Sequence, residues 1–191
     1  MPCSVVAPNA SPSRDEDIAT QVQNGDIDVF GILVDRYEAK LLRYGKKFLA
    51  REEDIKDIVQ DVMVSAYQNI QSFDPSQRFS PWMYRIAHNA FVNGLRRQER
   101  GPLFVDFDTL IAHPTYEDPA ETERERKDMK ELIDRGLKTL QPKYREVLTL
   151  HYFEDMAYKD IAEVLQVPSG TVGIRLKRAK EALKKQIKNE I

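Results

Sequence analysis

The chain has 191 residues, 31% of them charged, and a formal net charge of −2 at pH 7. That balance excludes a uniformly basic nucleic-acid binder and leaves the distribution of charge as the informative quantity. The single cysteine, Cys3, excludes an internal disulfide framework and a cysteine zinc site, while His88, His113 and His151 lack metal-ligand spacing, so no metal or cofactor is expected.

In chain order, Met1–Ser13 holds three prolines, two alanines and three serines and reads as a disordered tail. Cys3, with no flanking basic residue to depress its pKa, reads as an ordinary tail residue. No basic stretch followed by an apolar core opens the chain, and no apolar run approaches the roughly 18–20 residues that span a bilayer. A cytoplasmic protein without stable membrane insertion is expected.

A short helix is predicted over Asp15–Gln23, closed at Asn24-Gly25, then a long one over Asp26–Leu49 with Phe30, Leu33, Val34, Tyr37, Leu41, Tyr44 and Phe48 at helical spacing. Gly31 and Gly45 weaken it slightly. Glu53–Ile70 is the most regular helix. Its inner face carries Ile55, Ile58, Val59, Val62, Met63, Ala66, Tyr67 and Ile70, and its other face Asp54, Asp57, Gln60, Asp61, Val64, Ser65 and Gln68. Such an acidic, amide-bearing face is commonly just solvated; it also suits a basic partner helix.

After a turn at Phe73–Gln77, the stretch Arg78–Arg100 organises the rest. Ser80 is expected as N-cap with Pro81 at the first helical position. At about 100° per residue, Arg85, Asn89, Asn93 and Arg96 form one polar strip. Guanidinium and carboxamide groups in line are donors for phosphates and base edges. Phe79, Trp82 and Tyr84 could stack on unpaired bases. A core helix with one solvated face is the plain alternative.

Gly101–Pro119 interrupts the pattern with Gly101, Pro102, Pro114 and Pro119, and its acids meet no basic residue before Arg124. A structureless stretch of about twenty residues inside a compact domain is unusual, so it is read as a boundary between two domains. The expected fold is all-α: two small helical domains over 14–100 and 121–191, with an extended acidic linker over 101–120. In the second, a charged helix over Glu121–Thr139 buries Met129, Leu132, Ile133 and Leu137, and one from Gln141-Pro142 through Phe153 packs Val147, Leu148, Leu150 and Tyr152.

Tyr158–Leu165 and Ser169–Ile187 then have the form of a helix-turn-helix. Ile161, Leu165, Val167 and Val172 supply the shared core, Ala162 is small at the helix crossing, and Ser169 can cap the second helix. Val172, Leu176, Ala179 and Leu183 face inward; Ile174, Lys177, Arg178, Glu181 and Lys185 face out. From Arg175 onward seven basic side chains stand against Glu181 and Glu190, a local footprint of a DNA reader inside an acidic whole.

These motifs, in this order over about residues 15–188, resemble the extracytoplasmic-function (ECF) group of the bacterial sigma-70 family of RNA polymerase sigma factors. Asp54–Val62 resembles region 2.2, which docks on the β′ clamp helices; this implies a polymerase-binding role for Asp54, Asp57, Gln60 and Asp61. Phe79–Ala87 with Asn89 resembles the strand-opening and −10-reading regions. By that resemblance Phe79, Trp82, Tyr84, Arg85, Asn89, Asn93, Arg96 and Arg97 contact −10 DNA or support melting, and Phe73–Phe79 is the loop that captures an unpaired base. Leu140–Leu148, Tyr158–Ala162 and Gly170–Ala179 resemble region 4, which reads the −35 duplex and contacts the β flap. Ser169, Thr171, Gly173, Ile174, Arg175, Lys177 and Arg178 are the implied −35 residues. Gly173 and Ile174 depart from the family, whose members commonly carry a basic residue and a serine there; specificity then rests more on Lys177, Arg178 and DNA shape. The resemblance implies a non-enzymatic promoter-specificity subunit with core RNA polymerase, promoter DNA and an anti-sigma factor as partners.

Two rivals remain at this stage. A free-standing helix-turn-helix regulator would bind its operator without polymerase. A helical hydrolase or transferase has little support, since no Gly-rich phosphate loop, metal cluster or nucleophile motif is found.

Overall fold

The computed structural model describes residues 14–99, 132–133, 135–137 and 139–190, and among them every regular element is helical. The expected tail, the linker and Met129 lie outside the described residues.

Helix α1 (Asp15–Gln23) forms where the sequence predicts it. Asp15, Glu16 and Asp17 fill its first turn, where carboxylates are favoured by the helix dipole. The chain then turns through Gly25 at φ +100°, a backbone angle glycine takes without strain. Helix α2 (Phe30–Gly45) is shorter at both ends than its apolar pattern suggests. After Gly45 the amides of Lys47 and Phe48 bond back to Tyr44 and Gly45, a tight turn that swings Phe48 and Leu49 into the core. Helix α3 (Glu52–Gln68) stops before Asn69, whose side-chain amide donates to the Ser65 carbonyl at 2.8 Å, and a 3-10 turn over Ile70–Ser72 follows.

Helix α4 (Phe79–Glu99) begins one residue before the expected Ser80 cap. The cap comes instead from α1: a Glu16 carboxylate oxygen accepts the Phe79 amide at 2.9 Å. Ser80 and Pro81 therefore sit inside the first turn, where a missing N–H removes no intrahelical bond. Gln23 reinforces the same junction, donating to the carbonyls of Ile70 and Phe73 at 2.7 and 2.8 Å. Around it a set of aromatic rings meets mostly edge to face (Tyr37 on Phe79, Phe73 on Phe79, Tyr44 on Tyr84), while Phe48 and Phe91 stack at 5.5 Å. Each such ring brings a large buried area and about 0.5–1.5 kcal/mol of specific contact.

In the second half, helical residues at 132–133, 135–137 and 139 precede α5 (Pro142–Leu148), with Pro142 in the first turn as expected. Arg145 is buried and donates to the carbonyls of Leu137 and Leu140 at 2.9 and 3.1 Å, closing the preceding helix end. The expected continuation to Phe153 is not α-helical: Thr149–Phe153 widens into a π turn, with the Thr149 hydroxyl bonded back to the Arg145 carbonyl at 3.0 Å. The turn leaves Tyr152 exposed, against the expectation that it packs.

Helices α6 (Tyr158–Leu165) and α7 (Ser169–Glu190) form the helix-turn-helix around Ile161, Val164, Leu165, Val172, Leu176 and Ala179. Gln166 takes the left-handed position at the end of α6 (φ 51°), and Val167 bonds back to Ala162 at 3.0 Å. Ser169 does not cap α7. It is the first helical residue, and the amides of Thr171 and Val172 bond to the Pro168 carbonyl.

The two halves are packed together, with α6 lying on α4 and the buried apolar residues of both forming one continuous cluster.

Candidate functional site

Three surfaces carry the candidate residues. On α3, Asp57, Gln60 and Asp61 are exposed one helical turn apart, with Val64 continuing the face at 54% exposure. Asp54 is half-buried and sits 3.8 Å from the Arg51 guanidinium, so it belongs to the start of the helix more than to its open face. Tyr67 is not a core residue: it is partly exposed, edge-on to Phe30 beside the same face. A row of acids and amides around one apolar side chain is complementary to a basic amphipathic helix.

On α4, Asn89, Asn93, Arg96 and Arg97 are exposed as the spacing predicts. Arg85, the first member of the strip, is half-buried and stands 3.8 Å from Glu163 of α6. The aromatic residues depart from expectation. Phe79 and Tyr84 are fully buried and Trp82 is 7% exposed, packed against Phe73 and Phe79. In this conformation none of the three offers a ring face to a base; they hold the entrance of α4 against the core. The Tyr84 hydroxyl is buried without a well-formed hydrogen bond. Burial pushes that phenol well above its usual range, and the Glu154 carboxylate facing it adds to the effect.

On α7, Lys177 and Arg178 are exposed with Ile174, while Thr171, Gly173 and Arg175 are half-buried and Ser169 lies at the tip. Gly173 sits beside the Tyr158 ring, where an added Cβ would meet only ordinary contact at 3.6 Å. Gly170 extends the exposed face toward the helix start.

The two halves also meet through polar side chains. The Glu146 carboxylate of α5 accepts the Tyr44 hydroxyl at 2.6 Å and lies 2.6 Å from His88 Nδ1. A carboxylate only accepts, which places a proton on Nδ1. Burial and this carboxylate hold the Tyr44 phenol well above its usual range, so it remains a donor. Arg78 pairs with Asp160 at 2.6 Å, and Arg145 reaches the Lys47 carbonyl at 3.4 Å. No pattern in the sequence points to these pairs, since their members lie up to 102 residues apart.

An all-helical pair of units, the second a basic helix-turn-helix and the first an acidic helix beside a polar one, defines a DNA-reading protein with a separate docking face. Comparison with known proteins makes this specific. The description "Sigma-70 region 2" matches residues 33–101 and "Sigma-70, region 4" matches 130–183. The chain is 31% identical over 180 residues to the ECF RNA polymerase sigma factor SigW of Bacillus subtilis, covering 88% of this chain and 94% of that one. It is 32% identical over 185 residues to the ECF RNA polymerase sigma-E factor of Haemophilus influenzae, covering 93% and 97%. Among solved structures, CnrH in complex with the cytosolic domain of CnrY aligns with a TM-score of 0.68 at 25% identity, over 93% of this chain and 99% of that one. RpoE in complex with the anti-sigma factor NepR, from Bartonella quintana, shares the fold at a TM-score of 0.65 and 20% identity, over 83% and 96%. The chain belongs to the ECF group of the sigma-70 family of RNA polymerase sigma factors, DNA-binding regulators and not enzymes.

Arg178→Ala is expected to lower initiation from promoters that depend on a −35 element by roughly ten- to a hundredfold, the worth of one charge-assisted contact. Binding to core polymerase should not change, because Arg178 lies on the opposite side of α7 from its buried residues. Run-off transcription and a pull-down on the same preparation check both halves.

Proposed function

We propose that this sigma factor docks on core RNA polymerase through Asp57, Gln60, Asp61 and Val64 of α3, with Asp54 supporting the start of that helix. The second domain contacts the β flap. Arg85, Asn89, Asn93, Arg96 and Arg97 contact −10 DNA, and Ser169, Thr171, Gly173, Ile174, Arg175, Lys177 and Arg178 line the −35 duplex. The domains run over 14–100 and 121–191, and the acidic segment 101–120 threads the basic channel of the polymerase. Phe79, Trp82 and Tyr84 support strand opening indirectly, by fixing α4. Its place is the cytoplasm, where the polymerase is; no helix of the described residues is long and apolar enough to cross a membrane.

The observation that carries this reading is the separation of charge by face: an open acid-and-amide row on α3, and an open basic row on α7 in a chain of net charge −2. The ion pairs Arg78–Asp160 and Arg85–Glu163 add a requirement. DNA contact by Arg85 competes with its Glu163 pair, so engaging both promoter elements favours domains that have parted. Like RpoE, which was solved in complex with the anti-sigma factor NepR, this chain is held by an anti-sigma factor until a signal arrives.

The test is run-off transcription with purified core polymerase on fragmented host DNA, with and without the protein. New start sites sharing two spaced upstream elements support the reading; tight duplex binding without initiation supports a free-standing regulator. In the same assay Asp61→Arg, an exposed position, should abolish core binding while the far-ultraviolet circular dichroism stays that of the wild type. Unchanged affinity for core would remove Asp61 from the docking face.

A further inference from the structure

The outward face of α7 is Gly170, Ile174, Lys177, Arg178 and Glu181, all exposed and spaced so as to lie along one side of the helix. Ile174 is the one large apolar side chain in that row, at 56% exposure. Its surroundings leave it prominent. An added Cβ on Gly170, one turn earlier, would meet nothing within 4 Å, and Gly173 beside it carries no side chain. Leaving an isoleucine in water forgoes the gain from burying it, and among the described residues none covers it.

The flanking residues say what approaches. Lys177 and Arg178 follow Ile174 on the same face, and seven basic residues occupy α7 from Arg175 onward, a setting for a polyanion and not for an apolar protein surface. In the major groove of a duplex, only the C5-methyl of thymine offers an apolar contact. An isoleucine has no donor or acceptor with which to read anything else there.

We infer that Ile174 is a specificity-determining residue that packs on the C5-methyl of one thymine in the −35 element, with Lys177 and Arg178 holding the backbone beside it. This rests on the reading of α7 as the −35 helix. It makes the departure at this position a change in the kind of readout, from hydrogen bonding to apolar contact.

The experiment uses the full chain bound to core polymerase and a promoter recovered by genomic run-off transcription. Each thymine of the −35 element, on either strand, is replaced singly by deoxyuracil, which removes the methyl and keeps the base-pairing edge. At one position, initiation at subsaturating holoenzyme should fall about three- to fivefold, the worth of one apolar carbon returned to water. Ile174→Ala should show the same loss on the thymine template and no further response to deoxyuracil there, with an unchanged melting temperature. Wild-type indifference at every −35 thymine, a −35 element without thymine, or a full methyl response retained by Ile174→Ala each overturns the proposal while leaving the sigma-factor reading intact. A loss of core binding by Ile174→Ala with the methyl response retained would make it a protein-docking residue. Absence of any defined start site overturns the promoter reading and this inference with it.

Discussion

Gly45→Ala is expected to lower the melting temperature of the full chain by about 5 °C, although alanine favours a helix by about 1 kcal/mol over glycine. A Cβ at Gly45 would lie 2.5 Å from Phe91 Cζ, 2.6 Å from Phe91 Cε1 and 2.7 Å from Ile55 Cγ2. None of these can step aside cheaply. Phe91 is fully buried, stacked on Phe48 and edge-on to Tyr44, and Ile55 is 1% exposed. Overpacking of this kind costs about 1–3 kcal/mol, and at Gly45, the last residue of α2, the propensity gain is smaller than in a helix interior. The sign makes the measurement decisive: a melting temperature that rises would mean that Gly45 is only the weak helix residue its composition suggests.

Glu146→Ala is expected to separate the two halves in solution, seen as a larger radius of gyration by small-angle X-ray scattering of the protein alone. The substitution removes the acceptor shared by Tyr44 and His88, and each buried donor left without a partner costs about 1–3 kcal/mol. Parting the domains lets water satisfy both groups, so the cost falls on the contact and not on either fold. Glu146→Gln keeps an acceptor oxygen at the same place and should open the molecule less. Identical scattering from the wild type and Glu146→Ala would show that apolar packing between α4 and α6 holds the halves without this carboxylate.

Local pattern carried much of this structure. The apolar spacing located α1 through α4 and the helix-turn-helix, and exposure of Asp57, Gln60, Asp61, Asn89, Asn93, Lys177 and Arg178 follows directly from helical periodicity. Where the sequence misleads, a distant group intervenes. Ser80 looks like a cap until Glu16 supplies one from α1. Trp82 and Tyr84 look available to DNA because aromatic residues at a helix entrance are equally suited to stacking and to packing, and only tertiary contact decides. Nothing local marks Asp160 or Glu163 for a partner, yet both meet arginines from the other half of the chain. Glu146 lies in a run whose neighbours Val147 and Leu148 are core, and nothing local distinguishes a buried acceptor from a surface acid.

The cap that Glu16 places on α4 also orders the birth of the first domain. The amide it accepts lies 63 residues further along, and the bonds from Gln23 span 47 and 50. Helix α1 is therefore the first part of the domain to leave the ribosome, and although Asp15 can pair early with Arg36 and Tyr37 of α2, its junction with α4 is among the last to close. Closures over such distances are slow because the loop entropy is spent before the contact is gained. A nascent chain halted before residue 79 would hold α1 against α2 yet leave Glu16 without the amide it caps.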